Sequence, residues 1–467
     1  VAIAQMALHQ LAGRRARQHL EAVVVLGPLG RRQVVAGMRA QAFALENISG
    51  NIANSQTIAF KREDTSFVDL IPDGSPSQQT AGSVLANSRA TNSVQGDVQN
   101  ASIGTYMAIS GNGYFAVEKP TGFSGTTPTF GGTELYSRRG DFKTDSNGYL
   151  VNGAGYYLKG IPLDPTTGNP VGSVPQLLQF TNSLIPAQPT TTIQYQANLP
   201  AYPSTPNADK TVAQSELLDG TNVAKYPGGD PTTAGTGIVT GSDVTQFMGD
   251  SISGGAITAY DAAGNAVNVQ LRWAKTQSSL YGGTDTWNLF YQTDSTATGA
   301  TAAWINAGTD YKFGTNGQMS PSVASVSLTG VTVDGVTLGS VTINHGATGM
   351  TQYADSAGTI QVNTLQQDGY AAGSLQSISV NDKGTVVGSY SNGRTLNLAQ
   401  VTLATFAGPD NLQRLDGGAY AATGDSGPPS YTASGKIVAS SLEASNADIG
   451  DEFTKLIVTQ QAYSANT

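Results

Sequence analysis

Two apolar stripes with the spacing of a coiled-coil seam stand near opposite ends of this 467-residue chain. In the first, Val34, Met38, Gln41, Leu45, Ile48 and Ile52 fall alternately four and three residues apart. In the second, Leu442, Asn446, Ile449, Phe453, Leu456, Gln460 and Tyr463 do the same. A seven-residue repeat of this kind keeps one helix face apolar. The spacing predicts helices over roughly 34–54 and 436–467. Helices so far apart in sequence share a seam only if the chain doubles back and loops out everything between them. Gln41, Asn446 and Gln460 interrupt the seam, which costs stability and fixes register. A fully buried Leu or Ile contributes about 1.5–3 kcal/mol, so one short seam is marginal alone. The expectation is that these ends order against other subunits.

The middle of the chain has a different pattern. "YFAVEK" (Tyr114–Lys119), "AITAYDAAGNAVNVQLRWAKT" (Ala256–Thr276), "WNLFYQT" (Trp287–Thr293), "SLQSISVNDKGTVVGSY" (Ser374–Tyr390) and "LAQVTLATF" (Leu398–Phe406) are rich in β-branched or aromatic residues. Turn pairs such as Asn147-Gly148, Asn316-Gly317 and Asn392-Gly393 punctuate them. Gly- and Pro-rich breaks near 161–176 and 199–206, with "DGSPSQQT" (Asp73–Thr80) and "GDSGPPS" (Gly424–Ser430), divide the chain. The expected fold class is mainly β and multidomain, with paired terminal α-helices and a discontinuous core β domain that carries an inserted outer β domain. The expected limits are an atypical extension over 1–33, disordered or from a misplaced start; an inner helix and linker over 34–70; core β over 71–165; the insert over 166–365; core β again over 366–435; and a second inner helix over 436–467.

Composition narrows the function classes. Charged residues are 12% of the chain, about half the usual share. Net charge is −9, yet residues 1–40 hold six arginines against Glu21. Beyond that start no basic run exceeds Arg138-Arg139, so no nucleic-acid groove is expected. There is no cysteine and hence no disulfide or thiolate metal site. "EAVVVLGPLG" (Glu21–Gly30) is the nearest approach to a secretory signal, but Gly27, Pro28 and Gly30 spoil its helix and no small-residue cleavage site follows. "GDSG" (Gly424–Gly427) is the sequence of a serine-protease nucleophile loop. It has no base to serve it: His9 and His19 lie in the odd N-terminal stretch, and His345 sits in unrelated surroundings. "DSNG" (Asp145–Gly148) fails as a calcium loop, because Lys143 and Ala154 would occupy carboxylate positions. No cofactor, metal or small-molecule substrate is expected.

Asn47, Asn51 and Asn54 form a polar stripe beside the first apolar one. Two readings stay open. The stripe is solvent-exposed, with Asn54 as a left-handed residue ending the helix, or its amides pair at a subunit interface and set register.

"NISGNIANSQTIAFKR" (Asn47–Arg62) resembles the N-terminal signature of bacterial flagellar rod and hook proteins. Four further blocks follow in that family's order: "ISGNGYFAVEK" from Ile109, "YSRRGDFKTDSNGYLVNGAGYYLKG" from Tyr136, "QDGYAAGSLQSISVNDKGTVVGSYSNG" from Gln367, and "LEASNADIGDEFTKLIVTQQAYSANT" from Leu442. The large central insert is similar to that of the hook branch. The resemblance implies a structural subunit, not an enzyme. Such subunits leave the cell through the flagellar type III export apparatus without a cleaved signal peptide. They build a curved tube in the extracellular flagellum that joins rod to filament and transmits torque as a universal joint. Implied partners are further copies of the chain in a helical homopolymer, the rod, the hook cap and the hook–filament junction proteins. Implied interface residues are Met38, Leu45, Ile48, Asn51, Ile52, Asn54, Phe60, Lys61, Leu442, Asn446, Ile449, Phe453, Leu456, Gln460 and Tyr463. Other rod and hook paralogues, or a secreted β-rich adhesin, are the alternatives. Three departures stand out, the first being that residues 1–33 match no part of the family pattern. The family carries glycine where Ala59 stands, and alanine disfavours positive φ, so a differently shaped turn is expected. The family also continues past the position of Thr467, so the second helix reads as truncated.

Overall fold

The computed structural model describes residues 28–70, 83–165, 167–181, 184–219, 224–233, 237–431 and 435–466. Most of the expected extension over 1–33 and the linker Asp73–Thr80 lie outside the described residues. The chain divides into two compact units. One comprises 1–183, 376–389 and 395–467; the other comprises 184–375 and 390–394. Three α-helices occur among the described residues: α1 (Pro28–Ala53), α2 (Val244–Asp250) and α3 (Ile449–Asn466).

In the first unit, α1 begins six residues earlier than the apolar stripe does. Proline at the first helical position costs no hydrogen bond, because that N–H would have no intrahelical partner. The expectation that Pro28 and Gly30 spoil a helix here is corrected, since both lie inside α1; Leu29, Arg31, Arg32 and Gln33 are good helix formers that offset the glycine. At its far end Asn54 closes the helix, its N–H and its Nδ2 both donating to the Gly50 carbonyl at 3.2 and 2.9 Å. Asn54 is not left-handed. Ala59 is, at φ 55°, and it is buried. The alanine takes the left-handed region that its side chain disfavours, at a strain of about 1–2 kcal/mol, held by its N–H donating to the Glu443 carbonyl at 2.8 Å.

The expected helix from Lys436 is also corrected. Lys436–Ala439 is a strand paired antiparallel with Met107–Ser110, and Ser441–Glu443 pairs with Val98–Asn100. Isoleucine and valine favour the strand, and the serines compete with helix through local hydrogen bonds. Helix starts only where Asp448 caps it, Oδ1 accepting from the Asp451 N–H at 2.9 Å. Leu442 and Asn446 therefore lie outside α3.

Between the helices, β1 (Glu63–Leu70) and β2 (Ser83–Ala90) pair antiparallel from Glu63 opposite Ala90 to Leu70 opposite Ser83. α1 packs on β1, β2 and α3. The sheet of this unit interleaves strands from both sides of the insert. The fully buried strand Tyr114–Glu118 pairs with Leu135–Ser137, Tyr157–Pro162 and Leu403–Ala404. Thr395–Val401 then joins Tyr157–Pro162. Its core gathers Met107, Phe115, Val117, Phe142, Leu158, Val401 and Ile437. The unit keeps residues up to 183, beyond the expected limit at 165, because Leu177 pairs with Lys159 and Leu178 is buried in this core.

The second unit has two sheets. One runs Ile238–Thr240, Ala302–Phe313, Asp285–Gln292, Ala266–Gln277 and Ile252–Tyr260; the other is built around Thr192–Asn198. Their shared core holds Tyr195, Trp273, Trp287 and Tyr311. His345 is fully buried there, Nε2 2.9 Å from the Tyr311 hydroxyl and Nδ1 2.8 Å from the Tyr195 carbonyl. Burial pushes its pKa down, so it is a neutral, satisfied core histidine.

Candidate assembly interface

The residues expected to act together at the chain ends are brought together within the first unit. Of the amide stripe, Asn51 is buried, while Asn47 and Asn54 are half-buried. Asn47 Nδ2 donates to Thr65 Oγ1 at 3.0 Å and to Ser88 Oγ at 3.2 Å. Asn51 pairs with the backbone of Glu63 like a strand residue: Nδ2 donates to the carbonyl and Oδ1 accepts from the N–H, both at 2.9 Å. The same Nδ2 donates to Glu452 Oε2 at 3.0 Å, joining α1 to α3 across most of the chain. Asn51 and Glu452 are buried, and Lys455 Nζ donates to the other oxygen of Glu452 at 2.7 Å.

A second knot lies just beyond. Lys61, which is fully buried, donates from Nζ to Glu443 Oε1 and to the Val94 carbonyl. Arg138 Nε donates to Glu443 Oε2 at 2.8 Å, and the Gly96 N–H donates to Oε1 at 2.9 Å. One carboxylate thus serves two buried cations. The remaining guanidinium donors reach the carbonyls of Ile109, Gly111 and Gly113. Burial pushes the Lys61 pKa below its ordinary value despite the attraction of Glu443. Gly96 is required by space, since a Cβ there would lie 2.1 Å from the Ala444 carbonyl oxygen. Asn446 fastens the same junction. Its Oδ1 accepts from the Arg62 N–H at 2.7 Å, and its Nδ2 donates to Thr91 Oγ1 and the Val94 carbonyl, both at 3.1 Å. Phe60 lies under the Arg414 guanidinium at 5.1 Å.

The apolar stripe is displaced from the expected seam. The buried face of α1 is Ala40, Ala44, Ile48 and Asn51, while Met38, Leu45 and Ile52 are half-buried. Alanines let neighbouring elements approach more closely than the larger stripe residues would. Leu456 and Tyr463 are half-buried, and Gln460 is exposed. Ile449, Phe453 and Ile457 stand four apart on the outer side of α3, exposed by 40, 48 and 55%, with Val458 at 60%. A row of large apolar side chains that the described residues leave uncovered is a candidate interaction surface. The three-residue spacing of Glu452 and Lys455 predicts the pair that forms on α3, but sequence reasoning missed Glu443, Arg138 and the bond from Asn51 to Glu452, although each residue lies in a quoted block. Their partners stand hundreds of positions away, and spacing along the chain carries no trace of that. It also missed Ile457 and Val458, which fall off a strict heptad.

Helices at both ends joined by polar clamps, a strand-built body looped out between them and an apolar row uncovered by the described residues mark a class: a structural subunit with a candidate assembly surface. Family comparisons agree. The model of the flagellar hook protein FlgE/F/G D1 domain matches residues 108–197, that of the flagellar basal body protein FlaE D2 domain matches 253–370, and that of the flagellar basal body rod FlgEFG protein C-terminal region matches 438–467. Flagellar hook protein FlgE of Salmonella typhimurium is 30% identical over 450 residues, covering 93% of this chain and 94% of its own. Flagellar hook protein FlgE of Brucella melitensis is 29% identical over 443 residues, with the same coverage. The solved flagellar hook protein FlgE2 of Helicobacter pylori covers 73% of this chain at 14% identity and a TM-score of 0.47. The chain belongs to the flagellar hook protein FlgE family.

Proposed function

We infer that this chain is a structural subunit of the bacterial flagellar hook, in the extracellular flagellum, and that it polymerises through α1, α3 and the β1–β2 hairpin. The observation that carries the reading is the uncovered row Ile449, Phe453, Ile457 and Val458 in a chain of this family. Copies stacked through a contact that does not close on itself make a helical tube. Asn51–Glu452 and Lys61–Glu443–Arg138 would then set the angle at which each helix pair leaves its β body. Two groups stand out among the interface residues implied by the family signature. Asn51, Lys61 and Asn446 act within the subunit by fixing its geometry, while Ile449, Phe453, Gln460 and the half-buried Met38, Leu45 and Ile52 meet neighbours. The second unit, rich in Ser, Thr and Gly, supplies outer surfaces that slide without breaking fixed ion pairs. Rod, hook cap, junction proteins and export apparatus are the partners that this function requires.

The test is electron microscopy of purified protein brought to high concentration in sulfate, which strengthens apolar burial. Tubes of uniform diameter support the reading. A chain that stays monomeric there, and fails to restore swimming to a strain lacking its own hook subunit, would refute it.

A further inference from the structure

The first unit carries an apolar recess that its own helices leave open. A groove of about 660 Å³ runs between α1 and β2, lined by Val35, Ala36, Ala40, Phe43, Val84 and Leu85. Val35 and Leu85 are more than two-fifths exposed. Arg39 is the charged residue among those lining it, and it is exposed.

The row on α3 has the complementary character. Ile449, Phe453 and Ile457 form a straight apolar ridge, since residues four apart lie one above the other on a helix. Of the charged groups on and before α3, Glu452 is buried and Lys455 is engaged by Glu452 and Asp64. Asp448 and Asp451 remain exposed beside the ridge. The ridge is therefore apolar with an acidic margin, and the groove is apolar with a basic one. A chain cannot bring its own ridge to its own groove, because the other face of α3 is held on α1 through Asn51 and Glu452.

We propose that the ridge Ile449–Phe453–Ile457 of one subunit seats in the α1–β2 groove of a second copy, with Asp448 and Asp451 meeting Arg39. The inference rests on the polymer reading above and names its contact. Groove and ridge are different surfaces of one unit, so each copy receives one neighbour and inserts into another. Such a head-to-tail contact repeats from copy to copy, and a rotation that does not close makes it a helix.

The absence of cysteine makes the test clean. Full-length Leu85→Cys is mixed with full-length Ile457→Cys, and separately with Phe453→Cys, under assembly conditions, then treated with a short bismaleimide. At least one mixture is expected to yield a covalent dimer at about tenfold or more the yield of either single-cysteine protein alone. A charge exchange supplies a second measurement that needs no cysteine. Arg39→Asp and Asp451→Arg each place like charges at the contact, which disfavours association, and each alone is expected to raise the concentration needed for tubes about tenfold. Mixed in equal amounts they are expected to assemble like the parent, because every groove then meets a ridge of opposite sign. Tubes of parent protein with no cross-link in either mixture, or charge variants that mixing does not rescue, overturn the proposed contact and leave the polymer reading standing. Parent protein that forms no tubes overturns both.

Discussion

Replacing Glu443 by glutamine keeps the side chain's shape and removes the anion that the buried cations Lys61 and Arg138 share. Removing one partner of a buried ion pair costs about 3–5 kcal/mol, because it strands the other charge. The two cations do not double that figure here. Arg138 retains the carbonyls of Ile109, Gly111 and Gly113, Lys61 retains that of Val94, and the amide oxygen of glutamine can still accept one hydrogen bond. Against a total stability of about 5–15 kcal/mol, a loss of about 3–5 kcal/mol lowers the melting temperature of the first unit by roughly 6–20 °C. The three tryptophans Trp273, Trp287 and Trp304 all lie in the second unit, so their emission follows that unit separately. The first unit is followed by amide exchange at Gly96 and Ala59, whose N–H groups both donate to Glu443. The sign of the pH dependence adds a check. Lys61 has a folded pKa below 10.5, so between the two values the unfolded chain binds more protons and stability rises with pH. Without Glu443 the folded pKa falls further. The deficit of Glu443→Gln should therefore narrow as pH rises towards the ordinary lysine value of 10.5. A variant that melts within about 1 °C of the parent, or whose deficit does not change with pH, refutes this account of the knot.

Three other outcomes follow from the same geometry. Asn51→Ala removes the donor to Glu452 and both partners of the Glu63 backbone; it should cost about 2–4 kcal/mol, read as faster amide exchange in α3 at an unchanged tryptophan transition. Ala59→Gly relieves about 1–2 kcal/mol of left-handed strain and adds about 0.5–1 kcal/mol of chain entropy, so its denaturation midpoint should rise slightly or stay put, whereas Ala59→Val should lower it. In the second unit, His345 has a folded pKa depressed by burial. Below its ordinary value of 6.5 the unfolded chain binds the extra proton, so stability should fall on acidification with a slope of up to about 1.4 kcal/mol per pH unit. Urea midpoints followed by tryptophan emission between about pH 7 and 5 check this, and His345→Gln should flatten the slope.

Periodicity revealed the helices at both ends and the strand-rich middle, because each depends on neighbours a few positions away. Where the second helix begins depended on pairing that periodicity does not contain. Leu442 fits the heptad as well as Leu456 does, yet Ser441–Glu443 finds a strand partner in Val98–Asn100. The family signature located Asn51 and Lys61 without revealing what they touch. Asn51 looked like an interface amide and is consumed by Glu63 and Glu452 inside the chain. Ala59 carries the same lesson in reverse. Its side chain argues against positive φ, and its surroundings hold it there. The family signature pointed to Ile449 and Phe453 but not to Ile457 and Val458, and only the packed structure distinguishes Phe453, left open by the described residues, from Ile48, covered.

The central claim is that the exposed row on α3 is covered by a neighbouring subunit. A helical reconstruction of assembled tubes, at a resolution that places side chains, measures this directly. The account expects Ile449, Phe453, Ile457 and Val458 to be buried against another copy, with Asn51–Glu452 and Lys61–Glu443 intact inside each subunit. A tube in which that row still faces solvent, or in which Asn51 leaves Glu452 to bond across subunits, would contradict it.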